Sequence, residues 1–328
     1  MKAVVLEPAP EGNELRMLEV PDPVTGPSDL LVKVRASALN RADLRRASTH
    51  FAGSEARPGP AVGGLEMAGE VLATGSETDG FAVGERVMAM TGGSWAELTT
   101  VDHRLAVAVP SGLSWAEAAA TPISFITAHD ALATAAELQP GESVLVQGAT
   151  SAAGLASIQL ASALGAAEVF GTTSSDTKAA RLSALGCTVP LNPGHDDIVL
   201  EVARRTGGRG VEVVIDIVGA GVVQQNIDVA AICGRVICLG RLAGSEAALN
   251  LDEFSRKRIR MVGVTFRTRS LEERIAVMGR FSREVAPMLQ SGRVRPVLDQ
   301  TFLLTDIEAA EHYMRTNEHF GKIVLALP

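Results

Sequence analysis

Between residues 143 and 240, short apolar runs alternate with helical stretches, and no other feature restricts the fold so tightly. The runs are SVLVQ (143–147), AEVFGT (167–172), TVPLN (188–192), VEVVIDIV (211–218) and GRVICLG (234–240). Stretches such as SDTKAARLSALG and GVVQQNIDVAAI lie between them and are read as helices. Apolar runs that lack polar alternation are buried on both faces. Repeated β–α–β order therefore predicts an α/β architecture, a doubly wound parallel sheet covered by helices. RIRMVGVTF (258–266) follows as a further, outer strand, apolar from Met261 to Phe266.

The first 110 residues have another rhythm. KAVVLE, LLVKVRA, GEVLATG and ERVMAM are apolar runs bounded by Gly, Pro or Asp, which predicts an irregular antiparallel β domain. WAEAAATPISFITAHDALATAAEL reads as helix broken at Pro122. A long amphipathic helix is expected from about Ser270 to Ser291, then a helix and a final strand. At 328 residues, two domains are expected.

Composition narrows the function classes. A net charge of −8 disfavours a nucleic-acid surface. Three cysteines, Cys187, Cys233 and Cys238, form no CxxC pair, so neither a disulfide framework nor a Cys-rich zinc site is expected. MKAVVLEPAP lacks the apolar segment of a signal peptide, and a cytoplasmic protein is the expectation. Residues 143–167 carry no charge, yet Gly148, Gly154 and Gly165 interrupt them, so they read as a buried strand–turn–helix rather than a membrane span.

The turn within that stretch, Gly148-Ala-Thr-Ser151-Ala152-Ala153-Gly154, joins a hydrophobic strand to a helix. Its spacing, G-x-x-S-x-x-G, departs from the G-x-G-x-x-G of dinucleotide sites but keeps small residues where backbone must approach a pyrophosphate. A helix N-terminus there offers amide donors and a positive dipole end. The alternative is an ordinary turn of small residues. At the end of the second strand, VFGTTSSDTK has Thr173 where NAD-binding sites carry an acid. Ser174, Ser175 and Lys178 are suited to a 2′-phosphate, so NADPH is the expected cofactor. Asp176 argues against it, and Ser174 or Ser175 could equally serve as a helix N-cap.

Five segments, ALNRADL (38–44), GGLEMAGEV (63–71), FAVGERVMAM (81–90), GATSAAG (148–154) and FGKIVLALP (320–328), carry a family resemblance over nearly the whole chain. The sequence resembles zinc-independent medium-chain dehydrogenases/reductases of the quinone oxidoreductase group. That resemblance implies a GroES-like β domain (residues 1–123 and 267–328) plus a Rossmann domain (124–266). It also implies a two-fold dimer, for which the apolar strand 260–266 is the expected edge.

Departures from the zinc branch of that family are informative. Asn40 stands where a zinc enzyme has Cys, and Leu65 stands where it has His before the Glu. Neither residue replaces a thiolate or an imidazole, so no metal is expected. Hydride transfer to a quinone is the leading reading. Reduction of the C=C bond of an enone, 2-alkenal or enoyl thioester is the alternative, and a catalytically lapsed cofactor-binding protein is the third. The resemblance places Asn40 and Thr127 near the nicotinamide, with Asp43 a further catalytic candidate. Gly240, Arg241, Asn317 and Lys322 complete the expected cofactor contacts. Asn40 and Asp43 also resemble a helix capping box. Glu66 is expected to be buried and paired, with Lys322 or an Arg as partner. Phe51 stands where related enzymes place a proton-donating Tyr, beside His50.

Overall fold

The computed structural model describes residues 1–9, 12–45 and 60–328, so His50 and Phe51 lie outside the described residues. The chain forms two compact units. One comprises Met1–Ile126 with Phe266–Pro328, and the other Thr127–Thr265.

The first unit opens with a hairpin of β1 (Lys2–Ala9) and β2 (Gly12–Glu19). It continues through β3 (Asp29–Ala38), β4 (Glu66–Thr74), β5 (Arg86–Met90), β6 (Leu98–Asp102) and β7 (Ala106–Ala108). β3 alternates buried and half-buried residues along most of its length, the mark of a strand with one face on a core. α1 (Trp115–Ala119) starts at a capping box in which Ser114 and Glu117 satisfy each other's backbone amides. α2 (Pro122–His129) begins at its proline, the first helical turn being where a missing N–H does least harm. It runs into a wider π-helical turn at Asp130–Ala135.

The second unit alternates strand and helix: β8 (Ser143–Gln147), α3 (Ala152–Ala163), β9 (Glu168–Thr172), α4 (Asp176–Leu182), β10 (Val189–Leu191), α5 (Ile198–Thr206), β11 (Val211–Asp216), α6 (Val223–Val229), β12 (Ala230–Cys238), α7 (Leu251–Arg256) and β13 (Arg260–Gly263). The six strands form one all-parallel sheet in the order β10-β9-β8-β11-β12-β13. That is the doubly wound order, with the sheet's reversal beside the first strand, β8. The core beneath it includes Leu145, Phe170, Val214, Ile227 and Val236, each fully buried. β12 begins at Ala230, inside a stretch the sequence reads as helix. β13 is the edge strand.

The chain then returns to the first unit through α8 (Leu271–Glu284), α9 (Ala286–Gln290), β14 (Leu298–Leu303), α10 (Ile307–Thr316) and β15 (Lys322–Ala326). The single helix expected from Ser270 to Ser291 is two, broken at Val285, because Pro287 cannot bond back to residue 283 and crowds its carbonyl. β15 inserts beside β3, so the second sheet runs β14-β15-β3-β4-β5-β7, with β6 paired to β3. No described helix is long and apolar enough to cross a membrane.

Candidate functional site

In the first unit, β15 and β4 lie on either side of β3, and this brings together residues far apart in sequence. Lys322 opens β15 and Glu66 opens β4, and both side chains are buried. The Lys322 ammonium donates to Glu66 Oε1 and, at 2.6 Å, to Asn40 Oδ1. Asn40 in turn donates from Nδ2 to Glu66 Oε1 at 2.9 Å. The remaining oxygen, Oε2, accepts from the backbone amide of Ile123 at the start of α2, at 2.7 Å. Every polar atom of the Glu66 carboxylate is thus matched, as a buried charge requires.

Asp43 lies beside this set. Its Oδ2 accepts from the Asn40 amide at 2.7 Å, and the Asp43 amide donates to the Asn40 carbonyl at 2.9 Å. The side chain of Asn40 does not cap, however. It turns to Glu66 and Lys322 instead, so only the Asp43 half of the expected capping box forms. Burial pushes the Asp43 carboxyl up to about 7. The neighbouring charge of Glu66 adds to this, against the pull of the Asn40 amide and the Lys322 charge.

These donors do not fit a metal. Asn40 is committed to a carboxylate and an ammonium, Leu65 is apolar and buried, and the positive charge at this place is that of Lys322. Among the described residues, no three His, Cys, Asp or Glu side chains gather as a metal site. Elsewhere in the first unit, Asn317 is the left-handed C-cap residue of α10 (φ 60°), and its Oδ1 accepts from the Arg41 guanidinium. Burial and the nearby charge of Arg315 lower the pKa of Arg41. Tyr313 is occupied by Asp299, to which its hydroxyl donates at 2.8 Å.

In the second unit, the residues from Gly148 to Gly154 link β8 to α3. Gly148 has φ +72°, and a Cβ on Gly154 would lie 2.6 Å from the Gly148 carbonyl oxygen, so neither position tolerates a larger residue. Ser151 is the N-cap of α3, its Oγ accepting from the Gly154 amide at 3.1 Å. The first-turn amides of Ala152 and Ala153 have no intrahelical acceptor and remain available to an anion. The turn therefore fits a pyrophosphate.

Thr173 is buried, and its amide donates to Leu191. Ser174 is exposed. Ser175 is the N-cap of α4, accepting from the Lys178 amide at 3.4 Å. Asp176, the first residue of α4, is bonded to residues that follow β10. Its Oδ1 accepts from Asn192 Nδ2 at 2.6 Å and meets His195 Nε2 at 2.9 Å. Those hydrogen bonds hold the Asp176 carboxyl below its ordinary range and raise the His195 imidazole. Gly240 follows β12, its amide donating to the Asp216 carbonyl, and Arg241 is exposed in the next position. Thr127, half-buried on α2, is one helical turn after Ile123. The structure thus joins Asn40, Asp43 and Lys322 in one cluster, pairs Asn317 with Arg41, and lines up the turn and the β9–α4 loop along one sheet.

Two features of the structure leave little trace in the sequence. Arg41, within ALNRADL, meets Asn317 across 276 positions, a pairing that no local pattern shows. A set of buried polar residues also crosses the carboxyl ends of β8, β9 and β11. Its one sequence signal was Gln147, an amide at the end of an otherwise apolar run.

Two family models match: the alcohol dehydrogenase GroES-like domain over residues 26–111 and the zinc-binding dehydrogenase domain over residues 152–282. Quinone oxidoreductase-like protein 2 of Bos taurus is 30% identical over 308 residues, covering 94% of this chain and 87% of that protein. The chain belongs to the medium-chain dehydrogenase/reductase family, quinone oxidoreductase group. Erythronolide synthase EryA2 of Saccharopolyspora erythraea is 32% identical over 99% of this chain, which spans only 8% of that protein's length. The quinone oxidoreductase of Pseudomonas syringae pv. Tomato DC3000 superposes with a TM-score of 0.85 at 26% identity, over 99% of each chain. The CurK enoyl reductase gives 0.82 at 26% identity, over 100% of this chain and 99% of that one. The fold is that of the family, a GroES-like domain and a Rossmann-like parallel-sheet domain. The protein is an oxidoreductase of a kind that binds a nicotinamide cofactor.

Proposed function

We propose that this enzyme is an NADPH-dependent reductase that delivers hydride to a quinone without a metal. The observation that carries the reading is the Lys322 ammonium bonded to Asn40 and Glu66, since Asn40 and Leu65, the neighbour of Glu66, stand where the resemblance puts zinc ligands in the metal-dependent enzymes of the family. A substrate polarised by a bound metal has no counterpart here. A quinone is electrophilic without one. Bound nicotinamide supplies the hydride. The chain's part is orientation and charge. Gly148, Ser151, Ala152, Ala153 and Gly154 hold the pyrophosphate, and Ser174, Ser175 and Lys178 take the 2′-phosphate. Thr173, Gly240, Arg241, Asn317 and Lys322 are the further cofactor residues, with Asn40, Asp43 and Thr127 next to the nicotinamide. Asp176, the acid that would repel a 2′-phosphate, is partnered by His195 and Asn192, which favours NADPH over NADH.

The second reading is reduction of an activated C=C bond, favoured by the likeness to the CurK enoyl reductase. Purified protein, freed of metal with a chelator, is assayed for NADPH and NADH oxidation with a quinone and with an enone. The proposal expects quinone-dependent oxidation of NADPH that resists chelation. Turnover of the enone alone would select the second reading, and turnover of neither would leave a cofactor-binding protein whose catalysis has lapsed.

A further inference from the structure

The dinucleotide turn of the second unit is tied to a buried chain of polar side chains that crosses its sheet. Gln147 ends β8 and is the register partner of Asp216 at the end of β11, which pairs in turn with Cys238 of β12. Thr172 ends β9, one residue beyond the last Val146–Gly171 pair. The side chains of Thr172, Gln147, Asp216 and Asn226 are all buried, Asn226 completely.

Their hydrogen bonds run in one direction. The Gly148 amide donates to Thr172 Oγ1 at 3.2 Å, and that hydroxyl donates to Gln147 Oε1 at 2.7 Å. Gln147 Nε2 donates to Asn226 Oδ1 at 3.0 Å and to Gln225 Oε1 at 2.9 Å. Asn226 Nδ2 donates to Asp216 Oδ2 at 2.9 Å. The other Asp216 oxygen accepts the amides of Val218 and Gly219, both at 2.8 Å. A chain of this polarity, ending on a carboxylate, strengthens each of its members.

Both ends of the chain are loops. At one end, Thr172 holds the turn through two amides, its Oγ1 taking Gly148 and its carbonyl taking Ala149 at 2.9 Å. At the other, the loop after β11 is bonded to the loop after β12. Ala243 donates to the Val218 carbonyl, Ala220 to that of Gly244, and Leu239 and Gly240 both to that of Asp216. The phosphate turn and the loop bearing Gly240 and Arg241 are therefore the two ends of one hydrogen-bonded path.

We infer that Thr172, Gln147 and Asn226 are positioning residues that set the dinucleotide-contacting loops of this unit in one fixed arrangement before the cofactor arrives. An apolar row here would bury as well and pack as tightly. What the polar row adds is orientation of the backbone amides at both loops, which is the quantity a pyrophosphate reads. The inference rests on the dinucleotide reading of the turn, but not on the choice between NADPH and NADH.

The test is the Kd of NADPH and of NADH for the wild type and three variants, with Tm recorded for each. Thr172→Val keeps the shape of the side chain and removes the hydroxyl. We expect it to raise both Kd values about tenfold, the effect of one buried hydrogen bond, with their ratio unchanged. Thr172→Ser restores the hydroxyl and holds both Kd values near wild type. Val214→Ala, on β11 outside the polar chain, lowers Tm at least as far and leaves both Kd values near wild type. Unchanged affinity in Thr172→Val overturns the inference, as does weak binding in Thr172→Ser or an equal loss in Val214→Ala. A wild type that binds neither cofactor overturns the dinucleotide reading as well, which separates the two failures.

Discussion

The Lys322 ammonium donates to the Glu66 carboxylate across 256 positions of sequence, and both groups are buried. A pair so placed contributes little when whole and costs much when halved, since the survivor is a buried charge without its partner. Lys322→Met should therefore lower unfolding stability by about 3–5 kcal/mol in a urea titration. Adding Glu66→Gln should restore much of that loss. A double variant no more stable than the single one would show that packing, not charge, sets the cost.

Asp43 gives a dependence on pH. Its carboxyl is raised from 3.8 to about 7, first by burial. Folding thus favours the protonated form, and this stabilisation is complete below the unfolded value and lost as pH rises through the folded one. Asp43→Asn cannot ionise. Relative to the wild type it should gain stability between those values, by at most about 1.4 kcal/mol per pH unit. A stability difference that stays flat with pH would show that Asp43 titrates normally.

Asn40 separates orientation from scaffolding. Asn40→Ala should reduce turnover about ten- to hundredfold while NADPH affinity changes little, because misplaced reacting atoms are costly. Asp43→Ala is the comparison, sharing the same turn but not the bonds that Asn40 makes to Glu66 and Lys322. Equal loss of stability in both, with normal turnover per folded molecule, would make Asn40 a structural residue.

Lys178→Ala should weaken NADPH about ten- to hundredfold, the worth of a charge-assisted hydrogen bond, and leave NADH nearly unchanged. Isothermal titration with both cofactors measures this. An equal loss for both would assign Lys178 to the fold of α4.

β13 ends the parallel sheet, with Met261 exposed on it. Sedimentation at micromolar concentration should show a homodimer, and Met261→Lys should shift it toward monomer, as charge blunts an edge strand. A wild type that sediments as a monomer would remove the proposed interface.

Much of the second unit was legible because its strands are apolar throughout and its turns carry Gly, signals that survive without tertiary context. β12 begins earlier than read, since Ala-Ala-Ile-Cys suits a helix as well as a strand and the sheet decides between them. Pro287 was a visible sign that the helix after Ser270 breaks, and amphipathic spacing hid it. The partner of Glu66 was legible only as a choice among cations, because Lys322 reaches it through the insertion of β15 beside β3, which no local pattern encodes. The polar chain through Gln147 was hidden for the same reason: Thr172, Asp216 and Asn226 look ordinary until the strand order aligns them.

The insertion of β15 also has a bearing on the order of assembly. During synthesis from the N-terminus, Glu66 emerges 256 residues before the ammonium that neutralises it. The second unit is continuous in sequence and has all of its strands by residue 263, so it is free to fold as the chain is made. The first sheet cannot be completed until β15 has been made, so Glu66 meets its cation only after every strand of the second unit is available to pair.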